Sequence, residues 1–183
     1  MSTLSAAAGT WDIDTAHTNL GFSARHAMVA KVRGHFAEYS GTFTIDGENI
    51  ANSKAELTIQ AASILTGQAD RDGHLKSPDF LDVENHPTLK FVSTSVRDFD
   101  GEEFVLVGDL TIRGTTQQVE LAVEYLGETV DAYGGTRAGF SATTSISRKA
   151  YGVSFEAAFG AGNAVVADKV EIALELEFVK DAA

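Results

Sequence analysis

The sequence predicts an all-β fold: about eight strands in an antiparallel sandwich or barrel, with one or two short helices. Three observations point there. Short segments alternate apolar and polar residues with period two. They recur at short intervals, as in barrels and sandwiches. One long polar, helix-like stretch, ADRDGHLKSPDFLDVENHPTLKF over residues 69–91, interrupts them and is the natural lid or plug.

In chain order, Gly9–Ile13 begins the first strand, and Leu20, Phe22 and Ala24 then alternate with Gly21, Ser23 and Arg25. Residues 36–45 read as one strand, in which the spacing of Phe36, Tyr39, Phe43 and Ile45 breaks alternation near Ser40 and predicts a bulge there. Ala55, Leu57, Ile59 and Ala61 share a face, opposed to Lys54, Glu56, Thr58 and Gln60. Beyond the polar stretch come residues 89–96 and 104–112, joined by a turn at 98–102. Val119, Leu121, Val123 and Tyr125 then alternate with Glu120, Ala122 and Glu124, and residues 137–146 follow. The last strand is the clearest: Val170, Ile172, Leu174, Leu176 and Phe178 lie opposite Glu171, Ala173, Glu175 and Glu177. Residues 27–32 and 70–82 are the helical candidates, and in the second Ser77 and Pro78 suit a cap and first position of a new helix start.

The 183 residues suffice for one domain, residues 1–183, with a sizeable core. Fourteen basic against 26 acidic residues leave a net charge of −12, which argues against nucleic acid and anionic membrane surfaces as partners. The absence of cysteine excludes disulfides, thiolate metal sites and cysteine nucleophiles. The first residues, MSTLSAAAGT, have no basic residue and no long apolar run, and no segment approaches the ~18 apolar residues of a membrane helix, so a cytoplasmic protein without stable membrane insertion is expected.

Catalytic signals are weak. The histidines, His17, His26, His35, His74 and His86, form no HxxxH or HxH pair with a nearby carboxylate. Asp70, Asp72 and His74 alternate: extended, they could ligate a divalent ion, whereas on a helix they fan across its surface, and the surface reading is favoured. There is no GxSxG, and the GAG of residues 160–162 lacks the βαβ surroundings of a dinucleotide fingerprint. Arg71 either pairs with a carboxylate across the barrel end or meets a polar ligand head, and Arg148 carries the same two readings. A barrel of this size is filled by its side chains or holds one ligand, and eleven Phe suit either. Gly108, Gly139, Ala142, Ser93 and Ser95 would open space if they face inward.

Several separated motifs together resemble the YceI-like, polyisoprenoid-binding, lipocalin-like family. WDIDTAHTNLGFSARH carries Trp11, Ile13, Asp14, His17, Phe22 and His26, and Gly34 and Phe36 follow. SILTGQADRDGHLKSPDF carries Ser63, Thr66, Arg71, Asp72, His74, Leu75, Ser77 and Phe80, and HPTLKFVS carries Pro87 and Phe91. GDLTIRGTTQQV carries Gly108, Leu110, Thr111, Gly114 and Thr116; SRKAYGV carries Arg148 and Gly152; ADKVEIALELE carries Asp168 and Val170. The likeness spans roughly residues 9–178. The chain departs from the pattern at Leu81, commonly aromatic, at His86, often tyrosine, at Leu65, often acidic, and at Tyr151, often phenylalanine. Many relatives also carry a secretion leader.

The resemblance implies an extended antiparallel lipocalin-like β-barrel of about eight strands, with one or two short helices at the ends, around a long amphiphile, such as an isoprenoid quinone, a polyprenyl phosphate or a fatty amide, and a homodimer. The expected function is non-catalytic binding, transport or storage of that ligand, with no other cofactor. The expected lining is Phe22, Phe36, Phe43, Leu57, Ile59, Phe91, Leu106, Leu110, Leu121, Phe140, Ile172 and Leu174, with His26, Arg71, His74 and Arg148 at a polar mouth. The rival expectations are a metal-dependent protein using Asp70, Asp72 and His74, and a structural or stress-response protein with a filled barrel and no lipid.

Overall fold

A computed structural model of the chain describes residues 3–159, 163–164 and 166–181. The GAG of residues 160–162 lies outside the described residues. Eight strands close an antiparallel barrel in the order β1 (Gly9–Ile13), β4 (Tyr39–Ile45), β5 (Lys54–Gln60), β7 (Thr88–Arg97), β8 (Glu103–Ile112), β9 (Thr115–Val130), β10 (Thr136–Ser147) and β13 (Val166–Lys180). Closure is made by β13 on β1, with Trp11 opposite Lys180 and Ile13 opposite Phe178. Because β13 is 15 residues long and β1 only five, the same edge of β13 continues past β1. There it pairs with β2 (Asn19–His26), which carries β3 (Ala30–Phe36) and the two-residue β6 (Ile64–Leu65). Ala158–Phe159 (β11) pairs separately with Asn163–Ala164 (β12). Among the described residues no helix is long and apolar enough to cross a membrane.

The alternation read from the sequence positions the walls. On β8, Phe104, Leu106 and Ile112 are buried on the face shared with Gly108 and Leu110. A Cβ at Gly108 would lie 2.5 Å from the Phe91 ring, so this inward glycine makes room for that ring rather than for a ligand. Ala142 does face the interior, whereas a Cβ at Gly139 would meet the exposed Leu126. The β8–β9 hairpin turns through Arg113 and Gly114, both at positive φ (48° and 73°), which matches a tight hairpin to the twist of its strands.

Three sequence readings are corrected. Residues 27–32 are not helical: Ala27 and Met28 sit at positive φ (48° and 62°) in a hairpin turn, and β3 follows. Residues 36–45 form two strands separated by Ala37 and Glu38, so the broken alternation near Ser40 marks a corner, while β4 pairs with β5 in unbroken register. The register shifts fall instead between Ser93 and Ser95, between Gly139 and Phe140, and between Val166 and Val170. Helix α1 spans Ala69–Lys76 only, and Ser77 ends it rather than starting another: its N–H and hydroxyl both donate to the His74 carbonyl.

A 3-10 turn at Leu4–Ala7 plugs one barrel end, burying Leu4 and Ala7 fully; Trp11 Nε1 donates to the Ala7 carbonyl at 2.9 Å. Above this plug Phe43, Tyr125, Phe140 and Phe178 form a contiguous aromatic floor, with ring centroids 5.2–6.0 Å apart. At the opposite end α1 and the turns after it pack Phe80, Leu75 and Leu81 against Leu89, Ile112, Tyr151 and Val153.

Candidate functional site: an apolar cavity with one polar corner

Between floor and lid lies a cavity of about 280 Å³, and its lining is almost entirely carbon. An engineered apolar cavity of ~150 Å³ stays dry and admits benzene. A larger space with the same chemistry favours an apolar occupant over water. All twelve apolar positions expected from the sequence line it, from Phe22 on β2 to Leu174 on β13. Sequence reasoning missed Ile13, Leu75, Phe80, Phe104, Ile112 and Phe178, which line it too. For Phe104, Ile112 and Phe178 the signal was present, since each continues an alternating face already read. Among the described residues, Phe22, Ala24, Val166, Val170 and Ile172 on β2 and β13 are only half-buried, so the wall thins where the sheet extends beyond the closed barrel.

Of the four residues expected at a polar mouth, only Arg148 lines the cavity. His26 is exposed at the end of β2, beside the hairpin tip. Arg71 serves its own loop: Nε donates to Thr66 Oγ1 and Nη2 to the Thr66 carbonyl, each at 2.7 Å, so two of its nitrogens are engaged locally rather than by a carboxylate across the barrel. The neighbouring Asp72 is buried and accepts from the Thr66 N–H at 2.9 Å and from its hydroxyl. His74 Nε2 meets Asp79 Oδ2 at 2.8 Å, and its ring packs edge-on to Phe80 and Phe155 at 4.9 and 5.1 Å. These groups fasten the lid. Asp70, Asp72 and His74 consequently do not converge on one point: Asp72 turns to Thr66 and His74 to Asp79.

Arg148 follows the last residue of β10 and opens a 3-10 turn, Lys149–Tyr151, which Gly152 ends at φ 76°. Asp168 on β13 holds that turn, accepting from the Lys149 N–H at 3.0 Å and from Ser147 Oγ at 2.7 Å. In such a turn residues i and i+3 eclipse, and both Arg148 and Tyr151 reach the cavity lining. The Arg148 side chain is 5% exposed. Its Nη1 donates to the carbonyls of Val153 (2.7 Å) and Phe155 (3.0 Å), Nη2 to that of Val166 (3.0 Å) and Nε to that of Ala167 (3.1 Å). A guanidinium can span four carbonyls because its N–H fork is rigid and planar. The arginine therefore staples the segment after β10 to the start of β13. Tyr151 is 2% exposed, and its hydroxyl has no protein partner among the described residues. Burial pushes that phenol up to about 12, so it stays protonated.

A second polar cluster lies where β1 meets β13. Asp14, His17 and Glu177 bring their ligand atoms within 4.8 Å of one another, a spacing that would suit a cation. A cation is already there: Arg137 pairs with Asp14, with Glu177 at 2.7 Å and with Asp131 at 2.7 Å. The hydrogen bond from His17, with help from the Ala16 N–H and Arg137, holds the Asp14 carboxyl down at about 2. This cluster clamps the barrel seam.

Comparison with known proteins agrees with this geometry. Residues 11–178 match the model of the YceI-like domain. A UPF0312 protein of Photorhabdus laumondii is 41% identical over 149 residues, covering 81% of this chain and 76% of that protein. Protein YceI of Escherichia coli O157:H7 is 39% identical over 151 residues, covering 81% and 78%. Among solved structures, Burkholderia cenocepacia BcnA superposes with a TM-score of 0.77 at 23% identity, covering 90% of this chain and 98% of that one. A polyisoprenoid-binding domain from Saccharophagus degradans superposes with a TM-score of 0.68 at 15% identity, covering 93% and 98%. These two share the fold, and the sequence relatives carry the kinship: the chain belongs to the YceI-like domain family.

Proposed function

We propose that this protein is a non-catalytic carrier or store for a long-chain amphiphile, an isoprenoid foremost, whose tail lies in the barrel. The observation that carries this is the carbon-lined cavity of about 280 Å³ between the aromatic floor and the lid. The polyisoprenoid-binding domain with the same fold supports the choice of ligand class. Each buried methylene contributes about 0.8 kcal/mol, while ordering a flexible tail offsets part of this. Affinity then rises with chain length until the space is full.

The test is organic extraction of the purified protein with mass spectrometry of the extract, beside native mass spectrometry of the intact protein. A near-stoichiometric long-chain lipid is expected. Protein that purifies free of lipid and also ignores added quinone, polyprenol and fatty amide would sink the proposal. The same native spectra test the proposed homodimer.

A further inference from the structure

We propose that Tyr151 sets the ligand specificity of the cavity, its hydroxyl donating a hydrogen bond to a carbonyl-class oxygen carried by the long-chain ligand. This rests on the carrier reading above and goes beyond it by naming a chemical group and an orientation.

The phenol ring alone would suit this corner, where Ala61, Phe80, Leu89, Ile112 and Val153 pack. The hydroxyl is the anomaly: it is buried, and no protein group among the described residues meets it. Buried hydroxyls are costly unless paired, and a phenylalanine would fill the same volume without that cost. The hydroxyl becomes useful once an occupant brings a partner. Two further features fix what that partner is. The phenol keeps its proton, because burial holds its ionisation far above neutral pH. Arg148, one turn-repeat away and also on the lining, places a positive charge in the same corner. A positive neighbour favours a lone pair from the ligand and leaves the phenol as donor. A carbonyl oxygen meets that description. Since Tyr151 belongs to the lid end and the aromatic floor to the other, the oxygen-bearing end lies beneath the lid and the tail runs toward Phe43, Phe140 and Phe178.

The experiment compares wild type with Tyr151→Phe, using a long-chain methyl ketone and the alkane of equal length, each displacing a fluorescent fatty-acid probe, with thermal melts alongside. Ketone affinity should fall about tenfold, the equivalent of about 1.4 kcal/mol. The alkane should bind as before or better, and the melting temperature should hold or rise. Ketone affinity that is unchanged, or that falls in step with the alkane's, overturns the role of the hydroxyl; alkane binding to wild type would then leave the carrier reading standing. A lowered melting temperature with equal losses for both probes assigns the hydroxyl a structural part and also overturns the proposal. Failure of both the ketone and the alkane to bind wild type removes both readings together.

Discussion

Replacing Ala142 by tryptophan should close the cavity from its own wall. Ala142 is 1% exposed on β10, lies opposite Val123 on β9 and Leu174 on β13, and lines the cavity. An indole at this position occupies room that a ligand tail would use for about five methylenes, and at about 0.8 kcal/mol each the tail forfeits about 4 kcal/mol. That is about a thousandfold in Kd. Inserting bulk into a packed core ordinarily costs about 1–3 kcal/mol of stability. Here the about 280 Å³ of open space beside the alanine accepts most of the ring, so the loss should sit at the low end. The assay is titration of both proteins with a series of polyprenols of increasing length, with denaturant melts to establish folding. Wild type should gain affinity with each added unit before reaching a plateau, and the variant should reach its plateau at a shorter chain. A folded variant that binds the longest polyprenol as wild type does would show that the tail lies elsewhere.

Three other expectations come from the polar groups around the barrel. Arg148→Met strands the carbonyls of Val153, Phe155, Val166 and Ala167 and should cost about 3–5 kcal/mol by denaturant unfolding; Arg148→Lys should recover little, because an ammonium lacks the planar fork. Thr66→Val removes a partner from both Arg71 and the buried Asp72 and should cost about 1–2 kcal/mol, yet leave lipid affinity unchanged, since neither of those residues lines the cavity. Asp14 is held well below its ordinary value, so its contribution is complete above about pH 4 and is lost as the pH falls toward 2. After allowance for solvent screening this is about 1–2 kcal/mol, and Asp14→Asn should flatten the stability curve across that window; it should also weaken the loss of stability at higher pH as His17, whose ionisation its hydrogen bond to Asp14 holds up, gives up its proton.

The barrel walls were legible because period two is a local signal: where one face meets an apolar interior and the other water, the sequence must alternate. Strand β13 is the plainest case, with Ile172, Leu174 and Leu176 inward against Glu171, Glu175 and Glu177. Strand β3 was illegible for the converse reason. It lies on the extension outside the closed barrel and every residue of it is exposed or half-buried, so the alternation of Ala30, Val32, Gly34 and Phe36 with Lys31, Arg33 and His35 carries only a weak apolar signal. The turn before it uses Ala27 and Met28 at positive φ, where glycine or asparagine would have announced a hairpin. The corner at Ala37 and Glu38 was hidden for a similar reason, as neither residue is a turn former.

Polar residues were harder to place than apolar ones, because their roles depend on distance rather than on periodicity. Arg71, His74 and Asp72 are crowded in the sequence, and that crowding is what makes them structural: Thr66 and Asp79 lie close enough along the chain to engage them in local hydrogen bonds. Arg148 and Tyr151 stand apart from other charged lid residues and reach the cavity because a single 3-10 turn aims both at it. The hydrogen-bond balance separates the two. Arg148 spends its donors on backbone carbonyls and so stabilises the corner, whereas Tyr151 brings a hydroxyl that the described protein leaves unmet. In a largely carbon-lined space, a fully buried unspent donor at the lid end can decide which end of a long chain goes in first. Discrimination between an oxygen-bearing lipid and a plain hydrocarbon therefore depends on Tyr151 far more than on the lid charges.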